Sequence, residues 1–314
     1  MKPIKTLISI SILFLLLSAC NLPLAGMSQT TLTPGSPVTS EPPLPATEPP
    51  TAPPTASPMT LEMLKNATYM LPFYGRTVTL ANGVFTEGSG AEIYSVSMSD
   101  FYAFGDLNGD GLEDAAVILF ENGGGTGVFE AVIVMLNQNG APVQAGAAQL
   151  GDRVLVNSLT IQDGRILLDM VMHGPNDPMC CPTEPVTQAY QLFTNGLFLM
   201  HATTKVSNGA EHIITIISPA SNAEVTNPVT ISGTITISPF ENTLVYRLYN
   251  AANVQVAEAP FMVQAVDIGS PGTFTFTFDL TSAGVTGLIR VEILDISMAD
   301  GSTIALDAIN LLLK

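Results

Sequence analysis

The chain has 314 residues, 27 of them acidic and 10 basic, for a formal net charge of −17 with neutral histidines. A surface of that sign repels phosphate backbones and anionic headgroups and attracts divalent cations or basic partners, which excludes nucleic acid. Three cysteines are too few for a disulfide framework, so any globular part must hold through its apolar core.

In chain order the first element is an export signal. Lys2 and Lys5 precede an apolar run over 7–17 that ends at Ser18, Ala19 and Cys20. A basic start, a short apolar core and small residues are the layout of a cleavable secretory segment. The run falls short of the roughly 20 apolar residues that span a bilayer. Leu17-Ser18-Ala19-Cys20 resembles the bacterial lipobox. That resemblance implies removal of residues 1–19, diacylation of the Cys20 sulfur, and a protein held by lipid on the extracytoplasmic face of the cell membrane. Multiple acyl chains make such anchoring stable.

Residues 20–58 read as the lipidated cysteine and a stalk. From Ser28 to Pro58 the chain is Thr, Pro, Ser, Ala and Glu with almost no large apolar residues, including Pro42-Pro43, Pro49-Pro50 and Pro53-Pro54. Proline-rich linkers extend at about 3.1 Å per residue, so some thirty residues reach up to roughly 90 Å.

Residues 59–206 are expected to form a β-rich domain. Asn82-Gly83, Asn139-Gly140, Asp163-Gly164 and Asn195-Gly196 each sit between apolar or alternating runs. Such pairs accept the positive φ angles of tight hairpins. Strands are expected over 128–136, 154–161, 165–172 and 189–193, with one short helix over 61–66 capped by Thr60. No alternating βαβ pattern occurs, which disfavours doubly wound folds. The glycine run over 123–127 has no lysine and opens no helix, so it is a loop and not a phosphate cradle.

Within that domain Asp106, Asn108, Asp110, Leu112 and Asp114 carry specific chemistry. Oxygen side chains at positions 1, 3, 5 and 9, a backbone carbonyl at Leu112 and Gly111 at position 6 are the pattern of a calcium loop. Val117 stands where an EF-hand has its bidentate Glu, and the run over 115–120 reads as a strand. The segment over 104–117 therefore resembles the calcium hairpin loop of FG-GAP repeats. One copy implies a loop with a structural Ca²⁺, not a propeller.

The next unusual segment runs from His173 to Thr183 and contains three prolines with Cys180 and Cys181 adjacent. Outside the cytoplasm three states are open to these sulfurs. They close a vicinal disulfide, they stay reduced, or with His173 and Met179 they bind a soft metal such as Cu(I). The loop and the acidic phrase before it resemble a block found in uncharacterised secreted bacterial domains, a resemblance that implies no activity. His173, His201 and His212 lie in no nucleophile-elbow, zinc-helix or Cys–His context, so no catalysis is expected.

Residues 211–314 are expected to form a second β-domain. Strands over 213–219, 229–236, 244–249, 261–266, 273–280, 287–295 and 303–313 make seven short alternating segments in about a hundred residues, the mark of an immunoglobulin-like sandwich. Phe274, Phe276 and Phe278 alternate with threonines, so their rings share one face. The opening phrase over 217–233, the phrase Pro239-Phe240-Glu241-Asn242-Thr243 and the phrase Ser297-Met298-Ala299-Asp300-Gly301-Ser302 resemble the immunoglobulin-like domain of bacterial spore germination. That implies the fold and an envelope setting.

The whole is expected to be a mainly β, non-catalytic, lipid-anchored envelope protein with a structural Ca²⁺ loop. Its two β-domains would be presented for binding an envelope protein or wall polymer. The alternative is a solute- or metal-binding lipoprotein that uses the Cys180-Cys181 loop.

Overall fold

The computed structural model describes residues 57–206 and 208–314. The expected signal segment 1–19, the lipidation site Cys20 and all of the stalk before Ser57 lie outside the described residues.

The chain enters through a single turn of helix. In α1 (Leu61–Lys65) the Thr60 hydroxyl accepts the Met63 N–H at 3.3 Å, Glu62 and Lys65 complement the two ends, and Leu64 is buried. Tyr69 then donates its hydroxyl to the Leu64 carbonyl at 2.8 Å, satisfying an acceptor at the helix end.

Eleven strands follow in this half: β1 (Thr68–Leu71), β2 (Arg76–Thr79), β3 (Val84–Glu87), β4 (Tyr94–Gly105), β5 (Asp114–Asn122), β6 (Phe129–Gln138), β7 (Ala141–Asp152), β8 (Leu155–Gln162), β9 (Arg165–Met172), β10 (Glu184–Phe193) and β11 (Gly196–Lys205). The first two form a separate hairpin, β3 to β7 an antiparallel meander, and β8 to β11 another. Stacking makes three layers. Ala115, Val117 and Leu119 of β5 with Ile133 and Met135 of β6 pack on Leu64, Tyr69 and Leu71. Ala116, Ile118, Val132 and Val134, on the opposite face, pack on Ile166, Leu168, Met170 and Tyr190. A strand covered on both faces has no polar side to show, which is why 115–120 is a continuous apolar run rather than an alternating one.

Asn82-Gly83, Asn139-Gly140 and Asp163-Gly164 all have both φ angles positive, between 51° and 89°; the last two close the hairpins β6–β7 and β8–β9 as read, whereas Asn82-Gly83 closes only a single bridge between Ala81 and Val84, and β2 and β3 pair with other strands. The fourth differs. Phe193 pairs with Gly196, so the tip is Thr194-Asn195, and of the dipeptide Asn195-Gly196 only the glycine takes a positive φ.

A two-residue strand, β12 (Glu211–His212), returns along β11. The C-terminal segment then contains β13 (Ile214–Ser218), β14 (Ala223–Val225), β15 (Val229–Ile235), β16 (Thr243–Asn250), β17 (Gln255–Ala265), β18 (Gly272–Phe278), β19 (Gly287–Ile296) and β20 (Thr303–Leu313). β13, β15 and β18 form one leaf; β16, β19 and β20 form the other. The expectation of 261–266 for one strand is too short: β17 starts at Gln255, pairs with β16 through Met262 and with β18 from Val263, and so passes from one leaf to the other. Phe274, Phe276 and Phe278 all point into the core, where Tyr246 stacks on Phe276 at 4.7 Å. Gly233 is obligatory in this packing, because a Cβ there would lie 2.3 Å from both the Phe274 ring and the Thr215 carbonyl. Aromatic packing holds the leaves in a segment that has neither cysteine nor tryptophan.

The two halves share a sheet. β11 pairs with β20 through His201 with Asp307 and Ala202 with Leu306. Asp307 also accepts the Ile216 N–H of β13 at 2.8 Å, and its other oxygen lies 3.4 Å from the His201 ring. Beside this joint the Arg290 guanidinium lies over the rings of Phe198 and Tyr249 at 4.2 and 4.5 Å. Met200, Leu294 and Leu306 bury the remaining surface.

Candidate functional site

Three places hold unusual side chains. At the acidic loop the backbone wraps around Asp106, whose carboxylate accepts the N–H groups of Asn108, Gly109 and Gly111 at 3.2, 2.6 and 2.9 Å. Desolvation acts against it, yet the backbone donors Gly111, Gly109, Asn108 and Asp110 hold its carboxyl below the usual range. Asp110 accepts the Leu112 N–H and the Asn108 amide. Asp114 is fully buried and divides its two oxygens between the N–H groups of Leu107 and Asn137, each at 2.9 Å. Burial pushes its pKa up, the two N–H groups oppose this, and Asp110 and Asp106 add to the rise.

Among the described residues no three His, Cys, Asp or Glu side chains group to hold a metal. Asp106, Asn108 and Asp110 each accept backbone N–H groups of the loop, and Asp114 shares its oxygens between the loop at Leu107 and β6 at Asn137.

At the proline loop the sulfurs of Cys180 and Cys181 are joined, and both residues are exposed. Asp177 organises this segment: it accepts the Gly174 and Thr183 N–H groups and the Thr183 hydroxyl, and these hold its carboxyl below the usual range. His173 reaches the backbone carbonyl of Met179 at 3.3 Å, not its sulfur. No thiolate, thioether and imidazole set forms. Intact mass measured without reductant is expected to be two hydrogens below the reduced value; labelling of both sulfurs as free thiols in the native protein would remove the bond.

The third place is a pocket of about 500 Å³ in the C-terminal segment, between Phe240 on one lip and Met298 on the other. Both are strongly exposed, at 63% and 84%. The floor is His212 and Asp295, with side-chain exposures of 13% and 4%. Their facing atoms, His212 Nδ1 and Asp295 Oδ2, are 3.5 Å apart, and neither has a hydrogen-bond partner. The Phe240 lip is also strained. Glu241 and Asn242 both have positive φ, 56° and 54°, at about 1–3 kcal/mol each. The Asn242 side-chain oxygen is likewise buried without a partner.

His212 enters through β12 and Asp295 through the end of β19. The pocket was not read from the sequence, yet the signal was present: the phrases 239–243 and 297–302, singled out as carriers of a resemblance, fold into its two lips. None of the three histidines stands beside a serine or cysteine nucleophile in the hydrogen bonds seen among the described residues.

A family model described as the immunoglobulin-like domain of bacterial spore germination matches residues 213–302. The match ends just before β20 and begins just after His212, so it covers both lips and Asp295 but not the whole floor. The immunoglobulin-like sandwich is a non-catalytic fold type. No curated protein matches the chain.

Proposed function

We propose that the protein is a non-catalytic envelope lipoprotein, anchored through Cys20 on the extracytoplasmic face of the cell membrane, that binds an envelope protein or wall polymer through the pocket between Phe240 and Met298. The observation that carries this reading is the unpartnered pair His212 and Asp295 at the bottom of an open pocket with exposed apolar lips. Buried polar atoms without partners are rare and costly in native folds, and a pocket of this size lies in the range that takes ligands. The sheet shared by β11 and β20 supports presentation of the pocket on a rigid body.

Cys20→Ala is expected to release the protein into the soluble fraction. In the envelope, chemical crosslinking followed by capture should recover a partner with the wild-type chain and lose it with Phe240→Ala/Met298→Ala, whose exposure leaves the fold intact. Persistence of Cys20→Ala in the membrane fraction removes the anchor; equal capture by the lip variant removes the pocket as contact site. Exclusive loss of capture in Cys180→Ser/Cys181→Ser would instead favour the proline loop.

A structural Ca²⁺ at Asp106, Asn108, Asp110, Leu112 and Asp114 belongs to the same proposal. Its support is the push of Asp106 and Asp110 on the buried Asp114 carboxyl, which a cation would relieve. An affinity of about 10⁻⁴–10⁻³ M suits an extracellular module. At a hundred times the dissociation constant, calcium should raise stability by about 2.7 kcal/mol and the melting temperature by several degrees. Asp110→Ala should abolish the rise. Identical melting with calcium and with chelator removes the metal.

A further inference from the structure

Resting on the reading of this pocket as the contact site, we infer that its ligand is an alkylammonium group, a primary amine on an aliphatic stem such as a lysine side chain carries. The floor decides the head group. An ionised carboxylate only accepts hydrogen bonds, and Asp295 Oδ2 is buried and accepts none, with the His212 ring nitrogen standing 3.5 Å away. His212 Nδ1 is the second buried floor atom without a hydrogen-bond partner. At 3.5 Å the two do not satisfy each other well. A primary ammonium brings three N–H donors to one point, which serves Asp295 Oδ2 and, with the ring proton on Nε2, His212 Nδ1 as well, and offsets the cost of a desolvated carboxylate.

The surroundings point the same way. No lysine or arginine lines the pocket, and Glu241 stands on its lip, so the site favours a cation over an anion. The walls above the floor are Pro239, Val245, Ile296, Met298 and Ile304, apolar surface that suits methylenes.

Titration of the full chain, labelled at its methionine methyl groups, tests this through the resonance of Met298. The probes are 1-hexylamine, 1-hexanol and hexanoate. Hexylamine should give a saturable shift, hexanol should bind at least about tenfold more weakly, and hexanoate should not bind, since charge-assisted hydrogen bonds are worth about that factor or more. Asp295→Asn should bring hexylamine down to the hexanol level. If that variant does not fold, the three-probe comparison on the native chain decides alone. Hexanol binding as tightly as hexylamine, saturable hexanoate binding, or no saturable shift with hexylamine overturns the inference.

A capped Gly-Gly-Lys-Gly-Gly peptide and its ε-acetylated form separate the sources. Tighter binding than hexylamine assigns a polypeptide side chain, equal binding a free amine; undiminished binding of the acetylated form overturns the ammonium. Failure of this inference is distinct from failure of the contact reading. Amine binding with capture unaffected by Phe240→Ala/Met298→Ala keeps the ligand and removes the contact, whereas capture that needs the lips without amine binding does the reverse.

Discussion

Asp114→Ala is expected to destabilise the protein by roughly 4 kcal/mol, the largest effect of any single carboxylate here. The residue is fully buried, and its two oxygens are the acceptors for the N–H groups of Leu107 and Asn137. Alanine leaves both donors orphaned, at about 1–3 kcal/mol each, and opens a small void. Relief of the carboxylate's own desolvation offsets part of the loss. The damage spreads through Asn137, whose side chain accepts the Gly140 N–H and donates to the Ser57 carbonyl, tying the β6–β7 turn to the start of the described chain. Urea unfolding monitored by far-ultraviolet circular dichroism should show a lower midpoint with an unchanged slope. A loss below about 1 kcal/mol would mean that water reaches those two donors and that the loop is not closed as described.

Glu130 controls how stability varies with pH. It is 3% exposed in β6, and burial pushes its pKa from 4.5 up to about 7; the Val154 N–H at 3.0 Å opposes the rise, Asp152 adds to it, and Arg153 opposes it again. A carboxyl whose pKa is raised on folding holds its proton more tightly in the native state. Its contribution is therefore fully present below pH 4.5 and is lost as the pH climbs through about 7. The loss is on the order of 3 kcal/mol. Glu130→Gln keeps the shape without the charge, so at pH 8 it should melt several degrees above wild type. At pH 5 the two should differ little. The difference between variant and wild type isolates this group from Glu184 and Glu292, which burial also raises. A difference that stays constant between pH 5 and pH 8 would remove Glu130 as its source.

The sequence was most legible where one rule acts alone. Asn-Gly and Asp-Gly pairs marked three tight turns, two of them the hairpins β6–β7 and β8–β9, because positive φ at two successive residues admits few alternatives, and the Phe274–Phe276–Phe278 alternation located the core of the C-terminal sandwich. It was least legible where two demands meet. β7 has the sequence Ala-Pro-Val-Gln-Ala-Gly-Ala-Ala-Gln-Leu-Gly-Asp, poor in strand formers, and is held by its ladder with β6. β4 changes register between Met98 and Tyr102, which breaks its alternation. The acids followed the same division. Asp114 reads as a calcium ligand and Glu130 only as one position of an expected strand; their burial follows from the layers that cover them, and His212 meets Asp295 only after the chain has closed the sandwich.

The sheet shared by β11 and β20 also sets the order in which the protein can be completed. β20 follows in sequence each strand it pairs with: β11, β14 and β19. Chains fold as they emerge, the N-terminal parts first. Until residues 303–313 are out, β11 and β19 therefore each present an unpaired row of backbone donors and acceptors, the kind of edge that recruits other chains. Met200 and Leu294 wait without Leu306 and Ala308. The hazard is therefore concentrated in the interval before one strand arrives, and the release from it is abrupt rather than gradual.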